Sequence, residues 1–437
     1  MKIAIIGGTG EFGRVFARIF REEGHEVVVT GRDVEKGEKV AKSVGVEFSN
    51  ANIKTAKESD VVIISVPIES TREVIKEIAP HLRSGSLLAD FTSVKIEPCR
   101  AMEEFANEGV EIVGMHPMFG PRITTLEGQT VILTPIRASK WIEFLTGFFE
   151  RHKTRVFIST PEEHDRIMSV VQGLTHFAYI TAASTIKELD VDVKFSRKFA
   201  SPVYELMLDL IARIVGQNPR LYASIQMRNP EVKGVHEAFI KEATRLQRIV
   251  RDEDMKGFVK TMASSAKALG DVDAAMGRSD KAISALNAEL KRLKESIGEE
   301  VAVRHIYSGA VHLGKVKSIG PESVTLTTPK GDTKLKLSNV ELLDDREVQK
   351  WKAENFPVVE RDFSVLLPKH ADEEILRGVV ENSDDRIVSC DVVDVYEGEQ
   401  IPKDKKSITL NVKAVDFKAR DFEKISGLLE GIGGVLR

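Results

Sequence analysis

Cysteine is scarce in this sequence: Cys99 and Cys390 are the only two, far apart and without Cys or His neighbours at ligand spacing. That excludes a disulfide framework and a zinc knuckle, predicts no bound metal, and fits a reducing compartment. Long apolar runs are also missing; stretches such as Val61 to Ile68 fall well short of the ~18 residues a membrane helix needs. The opening MKIAIIGGTG breaks its short apolar run with glycines, where a signal peptide would extend it toward a small-residue cleavage site. Charge of one sign is nearly absent in excess. Lys and Arg number 63 against 67 Asp and Glu, a formal charge of -4, so bulk attraction to DNA or an anionic membrane is excluded and any nucleic-acid role must be local. There is no internal repeat and no low-complexity tract. A soluble, cytoplasmic protein is expected.

What is present is 437 residues, 42% hydrophobic and 30% charged, enough for about three domains at roughly 150 residues each. Over residues 1–160, short β-branched runs alternate with helix-patterned stretches: Lys2 to Ile6, Glu26 to Thr30, Val61 to Val66, Ser86 to Asp90, Glu111 to Met115 and Thr130 to Thr134. Alternation of this kind predicts an α/β, doubly wound parallel sheet. From 161 to 300 helical spacing takes over, punctuated by Pro202, Pro219 and Pro230. The last of these helices carries Ile283, Leu286, Leu290, Leu293 and Ile297, a narrow apolar seam that either packs on its own domain or pairs with another helix. Residues 301–345 read as a small β module, with SIGPES (Ser318 to Ser323) and TPKGDT (Thr328 to Thr333) as hairpin turns. After the helix-like DREVQKWKAENF, residues 357–437 follow the split βαβ order of a ferredoxin-like α+β domain.

Gly8-Thr9-Gly10-Glu11-Phe12-Gly13 lies between the first strand and a helix, the context in which G-x-G-x-x-G signals a dinucleotide. Gly8 is read as the tight turn, Gly10 as the point of pyrophosphate approach and Gly13 as the site of close helix packing, with the helix N-terminus supplying free N–H donors. An acid at the end of the second strand would bind a ribose hydroxyl, whereas arginine and small polar groups suit a 2′-phosphate. Here the run is Val29-Thr30-Gly31-Arg32-Asp33, with Gly31 in the acid's place, so Thr30, Arg32 and Thr9 point to NADP; NAD remains the alternative if Asp33 is the ribose acid. Ser65 and Pro67, closing the third predicted strand, complete the expected cofactor contacts. Two further strand ends carry chemistry: Asp90-Phe91-Thr92-Ser93-Val94-Lys95 and His116-Pro117-Met118-Phe119-Gly120-Pro121.

GGTGEFG, DFTSVK and HPMFGP, in this order, resemble the prephenate dehydrogenase family. The helical half agrees, through Glu163-His164-Asp165, Gln172, His176-Phe177, Ser201-Pro202-Val203-Tyr204, Arg213 and Gln217-Asn218-Pro219-Arg220-Leu221-Tyr222; the likeness covers roughly residues 1 to 270. It implies a Rossmann-type nucleotide domain, an all-helical dimerisation domain, a homodimer, and oxidative decarboxylation of prephenate to 4-hydroxyphenylpyruvate for tyrosine synthesis. By the same resemblance His116 is the catalytic histidine, Ser93 the serine beside it, and Arg213 the clamp for a substrate carboxylate; Lys95, His164 and His176 are further candidates for substrate contact. Chemistry supports these roles, since an imidazole can take a hydroxyl proton and a guanidinium fork suits a carboxylate. Glu205 stands where some relatives carry a basic residue, which leaves prephenate and arogenate both open. GGTG with TGR also resembles NADPH-dependent reductases of small redox carriers, and a nicotinamide-sensing or RNA-binding regulator is the alternative of another class. Val359-Glu360-Arg361-Asp362-Phe363-Ser364 and Asp394-Val395-Tyr396-Glu397-Gly398 with Lys405-Lys406-Ser407 resemble the ferredoxin-fold anticodon-binding domain of the phenylalanyl-tRNA synthetase beta chain. Its KDKK run (Lys403 to Lys406) is too short to predict a nucleic-acid partner, so a regulatory or dimer-organising role is expected.

Overall fold

The computed structural model describes residues 1–437 except Thr124, Pro321, Asp385 and Asp416, and except the side chains of Leu286 and Asn287. The chain divides into two compact units, Met1–Val272 and Asp273–Arg437.

In the first unit, β1 (Lys2–Ile6), β2 (Glu26–Thr30), β3 (Glu47–Ser49), β4 (Val61–Ile64), β5 (Leu87–Asp90), β6 (Glu111–Pro117), β7 (Thr130–Arg137) and β8 (Arg155–Ile158) form one sheet in the order β3-β2-β1-β4-β5-β6-β7-β8. All neighbours pair parallel except β6 with β7. The central strands are apolar on both faces, as a sheet covered on each side requires. Ile3, Ile5, Val29 and Ile63 face a core shared with α1 (Glu11–Glu22) and α6 (Lys140–Arg151); Ala4, Ile6, Val62 and Ile64 face one shared with α4 (Ile68–Ile78) and α5 (Ile96–Phe105). Strands β3 and β8 are only three and four residues long and lie at the two sheet edges, too short to stand out as buried runs, which is why the sequence pattern passes over them.

Helices follow: α7 (Pro161–Met168), a π-helical turn at Ser169–Leu174, α8 (Thr175–Glu188), α9 (Val193–Ser196), α10 (Pro202–Val215), α11 (Pro219–Arg228), α12 (Val232–Arg251) and α13 (Met255–Leu269). Thr160, Ser201 and Asn218 cap α7, α10 and α11, each with proline in the first turn, where its missing N–H costs no bond. Neither α8 nor α13 has a single buried residue, although both are rich in apolar side chains.

The second unit opens with α14 (Val272–Glu295), from Asp273 onward, which the periodicity groups with the preceding helices. Its end instead enters another core: Leu293 is buried with Val301, Val316 and Val324, and Leu342 donates its N–H to Glu289. Leu286 of the predicted seam lies outside the described side chains. The small sheet has the order β12-β11-β10-β9-β13, from β9 (Glu300–His305), β10 (Val311–Ile319), β11 (Ser323–Thr328), β12 (Gly331–Lys336) and β13 (Val340–Leu342). Both expected hairpins form, β10 with β11 and β11 with β12. A capping box between Asp344 and Glu347 starts α15 (Asp345–Asn355). Then β14 (Val358–Pro368), α16 (Glu373–Glu381), β15 (Ile387–Tyr396), β16 (Lys405–Val415), α17 (Ala419–Gly431) and β17 (Val435–Leu436) give the antiparallel order β15-β16-β14-β17 of a ferredoxin-like fold. Among the described residues no helix is long and apolar enough to cross a membrane.

Candidate active site

The glycine loop closes β1 onto α1. Its left-handed residue is Gly7 (φ 78°), not Gly8, so the turn belongs one residue earlier than the motif suggests. A Cβ on Gly8 would meet Val29 at 2.9 Å, and one on Gly13 would meet the Gly8 backbone at 2.5 Å, so both hold helix and sheet together. At Gly10, which caps α1, the nearest atom to an added Cβ is 3.5 Å away, leaving an open approach to free N–H groups. These residues fit a pyrophosphate. Ser65, whose carbonyl lies 2.8 Å from a Gly7 Cβ, and Pro67, the cap of α4, border the same loop, and Glu11 opens α1 exposed.

Two expected cofactor contacts are used differently. The buried Thr30 hydroxyl donates to Asn52 (2.7 Å) and accepts from the Gly7 N–H (3.1 Å), so it fixes the loop rather than facing a phosphate. Phe12 packs its ring 5.6 Å from Phe91 and 5.8 Å from Phe119. Phe16 lies 4.3 Å from Phe91 in the same cluster, which ties α1 to both strand-end segments. At the end of β2, a Cβ on Gly31 would meet the Thr9 hydroxyl at 2.7 Å, so a side chain there would have to displace that of Thr9. Asp33 accepts from the Lys36 N–H as the cap of α2 (Val34–Val44), and Arg32 is exposed.

His116 stands on β6, 3% exposed. Its Nδ1 lies 2.8 Å from His164 Nε2, and His164 Nδ1 lies 2.8 Å from Asp165 Oδ1, both residues coming from α7. Asp165 accepts in addition from the Lys95 N–H (2.8 Å) and the Ile96 N–H (3.0 Å) at the start of α5. The far side of His116, Nε2, faces the Gln172 amide nitrogen at 3.4 Å. Burial, with His164 and Lys95 nearby, pushes His116 well below the usual imidazole range; burial also lowers His164, against the pull of Asp165. A neutral imidazole with one nitrogen turned to an amide is a proton acceptor in waiting.

Where the sequence reading gives Lys95 to the substrate, the structure gives its ammonium to the protein: it is fully buried and donates to Asp90, Thr92 and the Met115 carbonyl (3.0 Å). The pair Asp90–Lys95 thereby fastens the ends of β5 and β6 beneath His116. Ser93 is half-buried in the turn between them. His164 is likewise taken up by His116 and Asp165. One helical turn after Gln172, the His176 ring lies 4.4 Å from that of Tyr222, its buried Nδ1 has no partner among the described residues, and burial lowers it to about 4. Burial raises the Tyr222 phenol against the opposing charge of Arg213, which places Arg213 beside this second cluster. Glu205 pairs with Arg197, so it brings no free charge to the pocket. The sequence reading passed over the roles of Asp165 and Gln172; the adjacency of Asp165 to His164 was the available signal.

A dinucleotide cradle at the strand ends, with a buried neutral histidine beside it, defines a nicotinamide-dependent dehydrogenase. Comparison with known sequences narrows the class. The prephenate dehydrogenase nucleotide-binding domain matches residues 16–158, its dimerization domain residues 160–264, and the ferredoxin-fold anticodon binding domain residues 355–420. A Methanocaldococcus jannaschii protein named as a probable arogenate/prephenate dehydrogenase is 45% identical over 99% of this chain and 98% of its own length. The T-protein of Haemophilus influenzae is 32% identical over 62% of this chain and 67% of its own. The chain belongs to the prephenate dehydrogenase family. A crystal structure of prephenate dehydrogenase from A. aeolicus with hydroxyphenyl propionate and NAD+ shares the fold over 62% of this chain and 98% of that one, with a TM-score of 0.52 at 22% identity.

Proposed function

We propose that the protein oxidises prephenate with loss of CO2, using NADP and working as a homodimer through its helical half. The observation that carries this reading is the buried His116, whose Nε2, among the described residues, meets only the Gln172 amide nitrogen. The glycine loop and the start of α1 would hold the dinucleotide, which, when bound in its oxidised form, would supply the hydride acceptor for the substrate's carbinol carbon. His116 Nε2 takes the hydroxyl proton, Ser93 orients that hydroxyl, and Arg213 holds a carboxylate beside Tyr222 and His176. Residues 1–160 hold the dinucleotide and the helices from 161 supply substrate groups and the dimer surface; modules 301–345 and 357–437 regulate or organise. Residues 357–437 contain 12 Lys and Arg against 17 Asp and Glu, which disfavours a polyanionic partner.

The choice of NADP is supported by Gly31 standing where a ribose-binding acid would be, the capping duty of Asp33 and the exposed Arg32. Substituting Arg32→Ala should raise KM for NADP roughly tenfold and leave KM for NAD nearly unchanged, the loss of one charged hydrogen-bond partner being worth ~1.5 kcal/mol. Absorbance of the reduced nicotinamide, with prephenate and arogenate each offered NAD and NADP, tests the whole reading. Turnover that His116→Asn abolishes is expected; silence with all four pairs, from protein that still binds a dinucleotide, would overturn it.

A further inference from the structure

We propose that His164 and Asp165 are positioning residues, a one-way donor chain that keeps the His116 proton on Nδ1 and so reserves Nε2 as the base. This rests on the dehydrogenase reading above, and it assigns to the helical half a part in arming a base that stands on the nucleotide-binding sheet.

Direction in the chain is set at Asp165. Both of its oxygens accept main-chain N–H bonds, Oδ1 from Lys95 and Oδ2 from Ile96. Those donors belong to the first turn of α5, a ten-residue helix whose N-terminus favours a carboxylate there. Asp165 is therefore an acceptor, and the His164 nitrogen 2.8 Å from Oδ1 must carry the proton. A neutral imidazole has one N–H, so His164 Nε2 is left with its lone pair. The nitrogen facing it at 2.8 Å, His116 Nδ1, must then be the donor. His116 Nε2 is left as the acceptor, and among the described residues the group that meets it is the Gln172 amide nitrogen, a donor.

Run the other way, the chain would set two acceptors against each other at 2.8 Å at one of its links, with no solvent to intervene: His164 and Asp165 are 2% and 0% exposed. The charged groups around it, the buried Lys95 and Asp90, bond each other and do not enter it. Asp165 is itself held from a second side, since Asn229 donates to its carbonyl at 2.7 Å. When the substrate hydroxyl gives its proton to Nε2, the imidazolium keeps both protons, and its Nδ1–H remains bonded to His164. The electron pair of the O–H bond would become the carbonyl π bond as hydride passes to an oxidised nicotinamide; departure of the ring carboxylate as CO2 would then leave its C–C electron pair in the ring, and the proton held on Nε2 would return to the oxygen, giving the phenol.

The test reads the proton itself and then its consequence. In full-length protein labelled with 15N-histidine, His116 should show a protonated Nδ1 and an unprotonated Nε2 at pH 7.5, assigned with the His116→Asn variant. Asp165→Asn sets an amide nitrogen against one of the two main-chain N–H donors and so weakens the acceptor that fixes His164, and part of the His116 proton should move to Nε2. Its kcat should fall roughly 10²- to 10⁴-fold with KM changed less than about threefold. His164→Phe should lose as much, whereas His164→Gln, whose carbonyl can accept from His116 Nδ1, should recover to within about tenfold of wild type. A wild-type proton on Nε2 would overturn the proposal, and so would full kcat in both Asp165→Asn and His164→Phe. A wild type without turnover would sink the dehydrogenase reading, while the spectrum would still decide the chain.

Discussion

Among the buried side chains, three histidines make the unit carrying them acid-sensitive. Burial lowers His116, His164 and His176, the last to about 4, so each is neutral in the folded protein and protonates more readily once unfolded, where its pKa is about 6.5. Unfolded chains therefore bind more protons as pH falls, and stability present above about pH 6.5 is lost on the way down, for His176 between about 6.5 and 4. Thermal melts at pH 7 and pH 5 should show a drop in Tm that His176→Gln reduces. Activity should behave differently: kcat should stay flat below pH 6.5, because His116 is still unprotonated there, and fall only at more acid pH. A kcat that halves near pH 6.5 in a pH–rate profile would contradict the lowered His116. These roles were legible only in part. Sequence names His116 and Arg213 through motifs, but that Thr30 serves the glycine loop, that Lys95 is consumed by Asp90, and that Asp165 orients His164 are facts of distance that spacing along a chain does not encode.

Between elements, close approach decides. Gly13 lets α1 lie against the glycine loop with no room for a methyl group, its Cβ position being 2.5 Å from backbone rather than from a movable side chain. Gly13→Ala should cost ~1–3 kcal/mol in urea unfolding and weaken dinucleotide binding, read by titration of the intrinsic fluorescence, because the helix must back away from its cradle. The π-helical turn matters similarly: Gly173 within it lets Val232 of α12 approach, a Cβ there meeting a Val232 methyl at 2.9 Å, and sets Gln172 against His116. Central strands were readable because apolar residues on both faces leave an unbroken run, and helix starts because proline and capping residues mark them. The π-turn left no comparable mark, and α14 was misgrouped because helical spacing says that a helix has an apolar side but not which core receives it.

For the molecule as a whole, the bare apolar sides of α8 and α13 are the largest unmet demand. Met255, Met262 and Leu269 of α13 are 73%, 62% and 81% exposed and Ile180 of α8 is 37% exposed, more than a solitary helical domain would leave in water. Light scattering on the full chain should give twice the 48.5 kDa of one chain. A chain ending at Val272, where the two units divide, should keep its prephenate turnover within about threefold, since every residue given a catalytic or positioning role precedes that point. The likeness of the C-terminal module to an anticodon-binding domain was readable in sequence, through short strand motifs, but a shared fold carries no ligand with it. The link between Asp165 on α7 and the N–H groups at the start of α5 joins the two halves of the first unit, beside the Ser224–Glu69 bond and the apolar cluster of Ile68, Val94 and Ile225. Parting α7 from α5 would take from Asp165 the two N–H groups that hold it and from His164 its anchored acceptor, so the proton position on His116 reports whether the two halves are in register.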